Sequence, residues 1–161
     1  MQTVILLLGS VIFALVAYSD LRTRLIPNEF IVAILALACL RIALSGDPTS
    51  ALYTLVATAA LAVATFLLFW RGLLGGGDVK LMVSTSFLIG YHDVLGFLFV
   101  MSVSGGLIAV AMLASERLKR RAAAAAAQEI PETSARLTVP YGVAISVAGF
   151  MTLLVQSLPT G

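Results

Sequence analysis

Long apolar blocks alternate with short polar interruptions along this chain. The blocks cover 3–19, 30–44, 51–70, 79–91, 94–114 and 137–158. Inside each block the apolar residues run on without the one-sided spacing of an amphipathic element. A helix that is apolar all round belongs in a large core or a bilayer. A spanning helix takes roughly 17–25 apolar residues. Blocks 3–19, 51–70, 94–114 and 137–158 reach that length; 30–44 is shorter, and 79–91 is the weakest. Counting all six predicts an all-α integral membrane protein with six transmembrane helices, forming one domain over residues 1–161. Its longer polar stretches, about 20–28, 71–78 and 115–138, should then share one side of the membrane.

Composition points the same way. Hydrophobic residues make up 60% of the chain and charged residues 11%, against about a quarter charged in a typical soluble domain. The first block lacks a positive n-region, and no small-x-small cleavage site follows it, so it reads as a retained helix rather than a signal peptide. Charge also sets orientation. Arg22, Arg24, Arg71, Lys80, Arg117, Lys119, Arg120, Arg121 and Arg136 all fall on one side of a six-span arrangement. Arg41 alone falls on the other. Both termini are therefore expected outside, with the basic loops in the cytoplasm. Dropping the weak block 79–91 would move the 117–121 cluster outside, so the charges themselves support a fourth span. The fifth helix should run on past the membrane through the six-alanine stretch, since alanine is the best helix former. The basic run there is a membrane-surface anchor; no aromatic or groove-reading pattern accompanies it, so no nucleic-acid role is expected.

Lone residues carry little. Cys39 stands mid-span as a small hydrophobe, and one thiol makes neither a disulfide nor a multi-cysteine zinc site. His92, beside Asp93, reads as a loop residue, so no metal and no cofactor is expected. Tyr18, Trp70 and Tyr91 fit an interfacial aromatic belt.

Ionisable residues at the membrane are costly and functional by default. Two segments hold them, 18–28 with Asp20, and 75–80 with Asp78. Both lie at cytoplasmic ends of expected spans. Aspartic proteolysis needs such a pair: one carboxylate takes a proton from water, and the other donates to the scissile carbonyl oxygen. Helix 1 would present its negative pole to Asp20 and helix 4 its positive pole to Asp78. That difference assigns the base role to Asp78 and the acid role to Asp20. Gly75, Gly76 and Gly77 admit positive φ and close backbone approach, which suits an extended peptide. Helix 4 is short, which places Asp78 in a water-filled cleft below headgroup level with Lys80 reaching outward. Pro27 and Asn28 start helix 2, with Asn28 as its cap; Pro140-Tyr141-Gly142 opens helix 6.

Asp20 with Ile26-Pro27-Asn28, then Gly75-Gly76-Gly77-Asp78-Val79-Lys80, resembles the prepilin peptidases, aspartic peptidases with a GxGD signature. The stretch from Val139 to Ile145 is similar to the family's last span. The resemblance implies a GxGD peptidase-like fold in the bacterial inner membrane. It also implies cleavage of the basic leader of type IV pilin-like precursors after a glycine, at the cytoplasmic face. Asp20 and Asp78 would form the catalytic pair, with Gly75, Gly76, Gly77, Lys80, Pro27 and Asn28 in binding or structural roles. The prepilin and the bilayer are the implied partners, and both acids should attract a basic leader. The chain opens directly on its first span and lacks the paired zinc-binding cysteines of large family members. It is thus similar to the short form of tight-adherence (Flp-type) pilus systems, expected to act without N-methyltransferase activity. Two alternatives stand beside this: a presenilin-like protease, and a non-catalytic pilus or secretion component or small transporter. A transporter would carry its acids near the midplane and often show internal repeats; neither is present.

Overall fold

The computed structural model describes residues 2–125 and 140–158. Among these, every regular element is helical: α1 (Gln2–Thr23), α2 (Asn28–Ser45), α3 (Pro48–Trp70), α4 (Gly76–Ile89), α5 (Val94–Ala125) and α6 (Tyr141–Ser157). A single 3-10 turn, Tyr91–Asp93, joins α4 to α5. Four segments are long and apolar enough to cross a bilayer: Thr3–Thr23, Asn28–Ser45, Pro48–Trp70 and Tyr91–Leu118. The six apolar blocks thus became six helices, of which α4 and α6, with 14 and 17 residues, are the short ones.

The expected loop limits shift at two helix ends. Polar residues at a membrane surface do not end a helix by themselves, so α1 continues past its apolar block to Thr23. It stops where Arg24 turns left-handed at φ 54°, and the Arg24 N–H closes back on the Asp20 carbonyl at 3.0 Å. Asp20 therefore lies in the last turn of α1, the helix end at which it was expected. Asp78 lies in the first turn of α4, as expected, but that helix already begins at Gly76, which shortens the 71–78 connection. α5 continues beyond its apolar block as far as Ala125, as the alanine stretch predicts; residues 126–139 lie outside the described ones.

The interior mixes an apolar cluster with small hydroxyl residues, while large apolar side chains also cover the outside. Large apolar side chains such as Leu95, Trp70 and Phe99 face outward, while Thr54, Thr58, Thr65, Ser84, Thr85 and Ser86 are buried. Small residues let backbones come close where lipid removes any hydrophobic drive between helices. Thr58 Oγ1 meets Ser86 Oγ at 3.5 Å between α3 and α4. α4 is the central helix, packed against α2, α3 and α6, with Leu81, Leu88 and Ile89 fully enclosed. α1 packs along α6, with Phe13 and Val16 buried in the core.

The turn between α2 and α3 shows ordinary stop and start chemistry. Gly46 takes the left-handed conformation that ends α2. Asp47 then caps α3, its Oδ1 accepting the N–H of Thr49 at 3.0 Å and of Ser50 at 3.2 Å, with Pro48 in the first turn.

Candidate active site

Three helix ends meet at one end of the bundle: the C-terminus of α1 and the N-termini of α4 and α6. Between them opens a cleft of about 390 Å³. Asp20 and Arg24 line it from α1 and its exit, and Leu25, Ile26 and Asn28 from the approach to α2. Gly75, Gly76, Gly77, Asp78 and Lys80 line it from α4, and Pro140 and Tyr141 from α6. The two aspartates, far apart in sequence, thus share one cavity, close enough that the charge of Asp20 is felt at Asp78. Of the expected site residues, only Pro27 stays outside the lining. It serves instead as the residue before α2.

Each carboxylate lies against the start of a helix. Asp20 is 5% exposed. Its Oδ2 accepts the N–H of Val143 at 3.1 Å, and Gly142 packs directly against its carboxyl group. The first N–H groups of a helix have no partner of their own, and Pro140 offers no side-chain cap. Asp20 supplies that cap from another helix. Asp78, in the third position of α4, turns back toward Gly75 just before the helix, where a Cβ would lie 2.8 Å from its Oδ2. That position is the one from which a capping box reaches back.

Two sequence expectations change here. Asp20 does lie at the C-terminal end of α1, but its carboxylate also faces the positive pole of α6. Both acids therefore meet a helix N-terminus, and the dipole contrast that assigned base and acid roles is gone. The glycine run also works differently: none of Gly75, Gly76 or Gly77 has positive φ, which falls instead at Gly72. The run matters through proximity. A Cβ on Gly75 would lie 2.8 Å from Asp78 Oδ2, and one on Gly77 would lie 3.5 Å from the Ile26 Cβ.

Asn28 does not cap α2. Its Oδ1 accepts from Lys80 Nζ at 3.2 Å instead, tying the start of α2 to the start of α4. The loop after α1 is also tied down. Ser19 Oγ donates to the Leu25 carbonyl at 2.9 Å, and the Leu25 N–H donates to Thr23 Oγ1 at 3.3 Å. These bonds turn Leu25 and Ile26 toward the cleft. Arg24 and Lys80 put two cations into the same lining as the two acids. The attraction expected for a basic leader is discounted accordingly.

Residues of α6 were the ones not singled out for the site. Gly142 is the clearest: a Cβ there would come 2.8 Å from Asp20 Cγ. The signal was present, since glycine in the first turn of a helix disfavours that helix unless something needs the space. Elsewhere, Cys39 is exposed on α2. His92 is exposed and stacks on Tyr91 at 3.9 Å between ring centroids. Among the described residues no group of three or more His, Cys, Asp or Glu side chains is placed to hold a metal.

The arrangement can do acid–base chemistry on a chain entering the cleft: two acids, each set against the start of a helix, line one open cavity. No curated protein and no solved structure matches the chain. The sequence model of the type IV leader peptidase family matches residues 7–110, a span that contains both aspartates and the glycine run. More than half of the chain fits that model, and the chain belongs to the type IV leader peptidase family.

Proposed function

We propose that this protein is a membrane aspartic endopeptidase of the bacterial inner membrane that removes the basic leader of type IV or Flp-type prepilins. In this reading all six helices cross the bilayer, both termini lie outside, and the cleft opens at the cytoplasmic leaflet. The observation that carries it is the convergence of Asp20 and Asp78 in one cavity.

The chemistry follows from the pair. Two carboxylates in close approach do not both ionise readily, so they hold one proton between them. The ionised member takes a proton from a water molecule, whose oxygen attacks the scissile carbonyl carbon. The protonated member donates to the carbonyl oxygen. As the tetrahedral intermediate collapses, the C–N bond breaks, the departing amine takes a proton from the member that had accepted one from water, and one hydroxyl of the intermediate returns its proton to the other member, leaving the pair with one proton again. The bond from Val143 to Asp20 and the close packing of Gly142 on Asp20 and of Gly75 on Asp78 hold the carboxylates in place, which spares the reorientation that would otherwise slow the step.

A prepilin fits this geometry. Its apolar helix lies in the membrane and its leader in the cytoplasm, so the scissile bond falls near the interface. Gly75, Gly76 and Gly77 offer a lining without side chains, against which an extended segment can lie. Arg24 and Lys80 would orient rather than attract a basic leader. The likeness to the short Flp-type form supports peptidase action without N-methyltransferase activity.

The test is co-expression with a prepilin from a Flp-type system, comparing wild type, Asp20→Ala and Asp78→Ala. The reading requires the leader-cleavage mobility shift in wild type and its loss in both variants. An Asp78→Asn chain that still supported pilus assembly would instead favour a non-catalytic component of the apparatus.

A further inference from the structure

α4 carries Asp78 at one end, and its other end is gripped by side chains of three neighbouring helices. Its 14 residues rise about 21 Å, well short of the roughly 30 Å apolar layer. With Asp78 near the cytoplasmic face, α4 stops below the opposite surface. The last carbonyls of a helix lack partners within it, and lipid offers none.

Neighbouring helices supply them. Arg41 of α2 donates from its guanidinium to the Leu88 carbonyl. Gln156 of α6 donates from Nε2 to the Ile89 carbonyl at 2.8 Å and to Asp93 Oδ2 at 2.6 Å. Thr54 Oγ1 of α3 accepts the Tyr91 N–H at 3.3 Å, beyond the turn where Gly90 takes φ 88°. Arg41 and Gln156 also line one void of about 10 Å³, on the order of a single water. Arg41 is the one basic residue off the cytoplasmic side. An arginine serving only as a lipid anchor would extend its head to the surface; this one is half-buried and turned onto a helix end, with Asp93 as its opposing charge.

We propose that Arg41 and Gln156 are positioning residues that set the height and rotation of α4, and so the point at which Asp78 meets Asp20. This rests on the reading of Asp78 as a catalytic carboxylate. The near end of α4 is held more lightly, by the exposed Lys80–Asn28 bond and by Ile26 against Gly77. A slide of α4 by one residue moves Asp78 about 1.5 Å, and a misplacement of about 1 Å can cost on the order of 100-fold in rate.

The experiment uses the full chain in liposomes with a synthetic prepilin. Arg41→Met and Gln156→Leu should each lower kcat at least tenfold per folded molecule, with KM within twofold, and Arg41→Lys should recover part of the loss. A second readout is independent of cleavage. In a Cys39→Ser, Asp78→Cys chain, labelling by a membrane-impermeant maleimide should change at least threefold when Arg41→Met or Gln156→Leu is added. If Arg41→Met does not fold, Gln156→Leu carries both measurements. A folded latch variant with kcat and labelling rate both unchanged overturns the proposal. A wild-type protein that cleaves no prepilin overturns the peptidase reading alone, because the labelling rates still report on the latch.

Discussion

Gly142→Ala is a single-methyl perturbation aimed at the grip on Asp20. The new Cβ would come 2.8 Å from both Cγ and Oδ2 of Asp20 and 3.0 Å from its Cβ. Contacts that short are not tolerated, and Asp20 is enclosed, so it cannot simply swing into solvent. Either the carboxylate turns and leaves the Val143 N–H group, or the start of α6 moves outward. Losing one hydrogen bond to a charged group costs about 1.5–3 kcal/mol. A carboxylate displaced by about 1 Å from its reacting position costs on the order of 100-fold, which is about 2.7 kcal/mol of barrier. Both routes give the same expectation: kcat for leader cleavage falls about 10- to 100-fold. The assay is single-turnover cleavage of a purified prepilin in liposomes, scaled to the folded fraction from size-exclusion chromatography. Gly106→Ala is the control, since a Cβ there meets nothing within 4 Å and its rate should stay within twofold of wild type. A folded Gly142→Ala chain cleaving at the wild-type rate would refute the claim that α6 holds Asp20 in its working position.

Three further outcomes are expected. Arg24→Gly should raise thermal stability by about 1 kcal/mol, because a left-handed arginine is replaced by the residue that tolerates this conformation. The same change removes a cation from the cleft, so KM for a basic leader should fall; a rise in KM would show that Arg24 holds substrate. Asp47→Ala should cost α3 about 1 kcal/mol through loss of its cap, read as a lower Tm in detergent, while kcat below that Tm stays unchanged because the cap lies at the far end of the bundle. Lys80→Met and Asn28→Ala should each destabilise by no more than about 1 kcal/mol, since the pair is exposed, and their effects should be non-additive in a double-mutant cycle.

Much of the fold could be read from the apolar blocks, because a helix surrounded by lipid must show its character all round. The limits of α1 and α4 could not. The apolar blocks stop at Ser19 and begin again at Val79, yet at a membrane surface polarity and helicity are compatible, so α1 runs on to Thr23 and α4 begins at Gly76. The placement of the two acids at one end of the bundle was legible from their positions at the C-terminus of helix 1 and the N-terminus of helix 4, and from the glycine run. Their electrostatic division was not. It depended on which helix poles surround Asp20, and the decisive one belongs to α6, distant in sequence. Asn28 shows the same limit: its type suits a cap, but a lysine one helix away takes its side chain. Arg41 stood out in the sequence as a charge on the wrong side, while its partner, a carbonyl at the end of α4, is invisible to any side-chain pattern.

The central claim is that Asp20 and Asp78 act as one unit, and non-additivity tests it directly. The measurement is the cleavage rate of Asp20→Asn, Asp78→Asn and the double variant in liposomes. Groups that act together lose nearly everything when either is removed. Each single change should therefore cut the rate by about 1,000-fold or more, and the double variant should be no slower than the worse single one. A folded single variant keeping more than about a tenth of the rate, or losses that multiply in the double variant, would contradict the account.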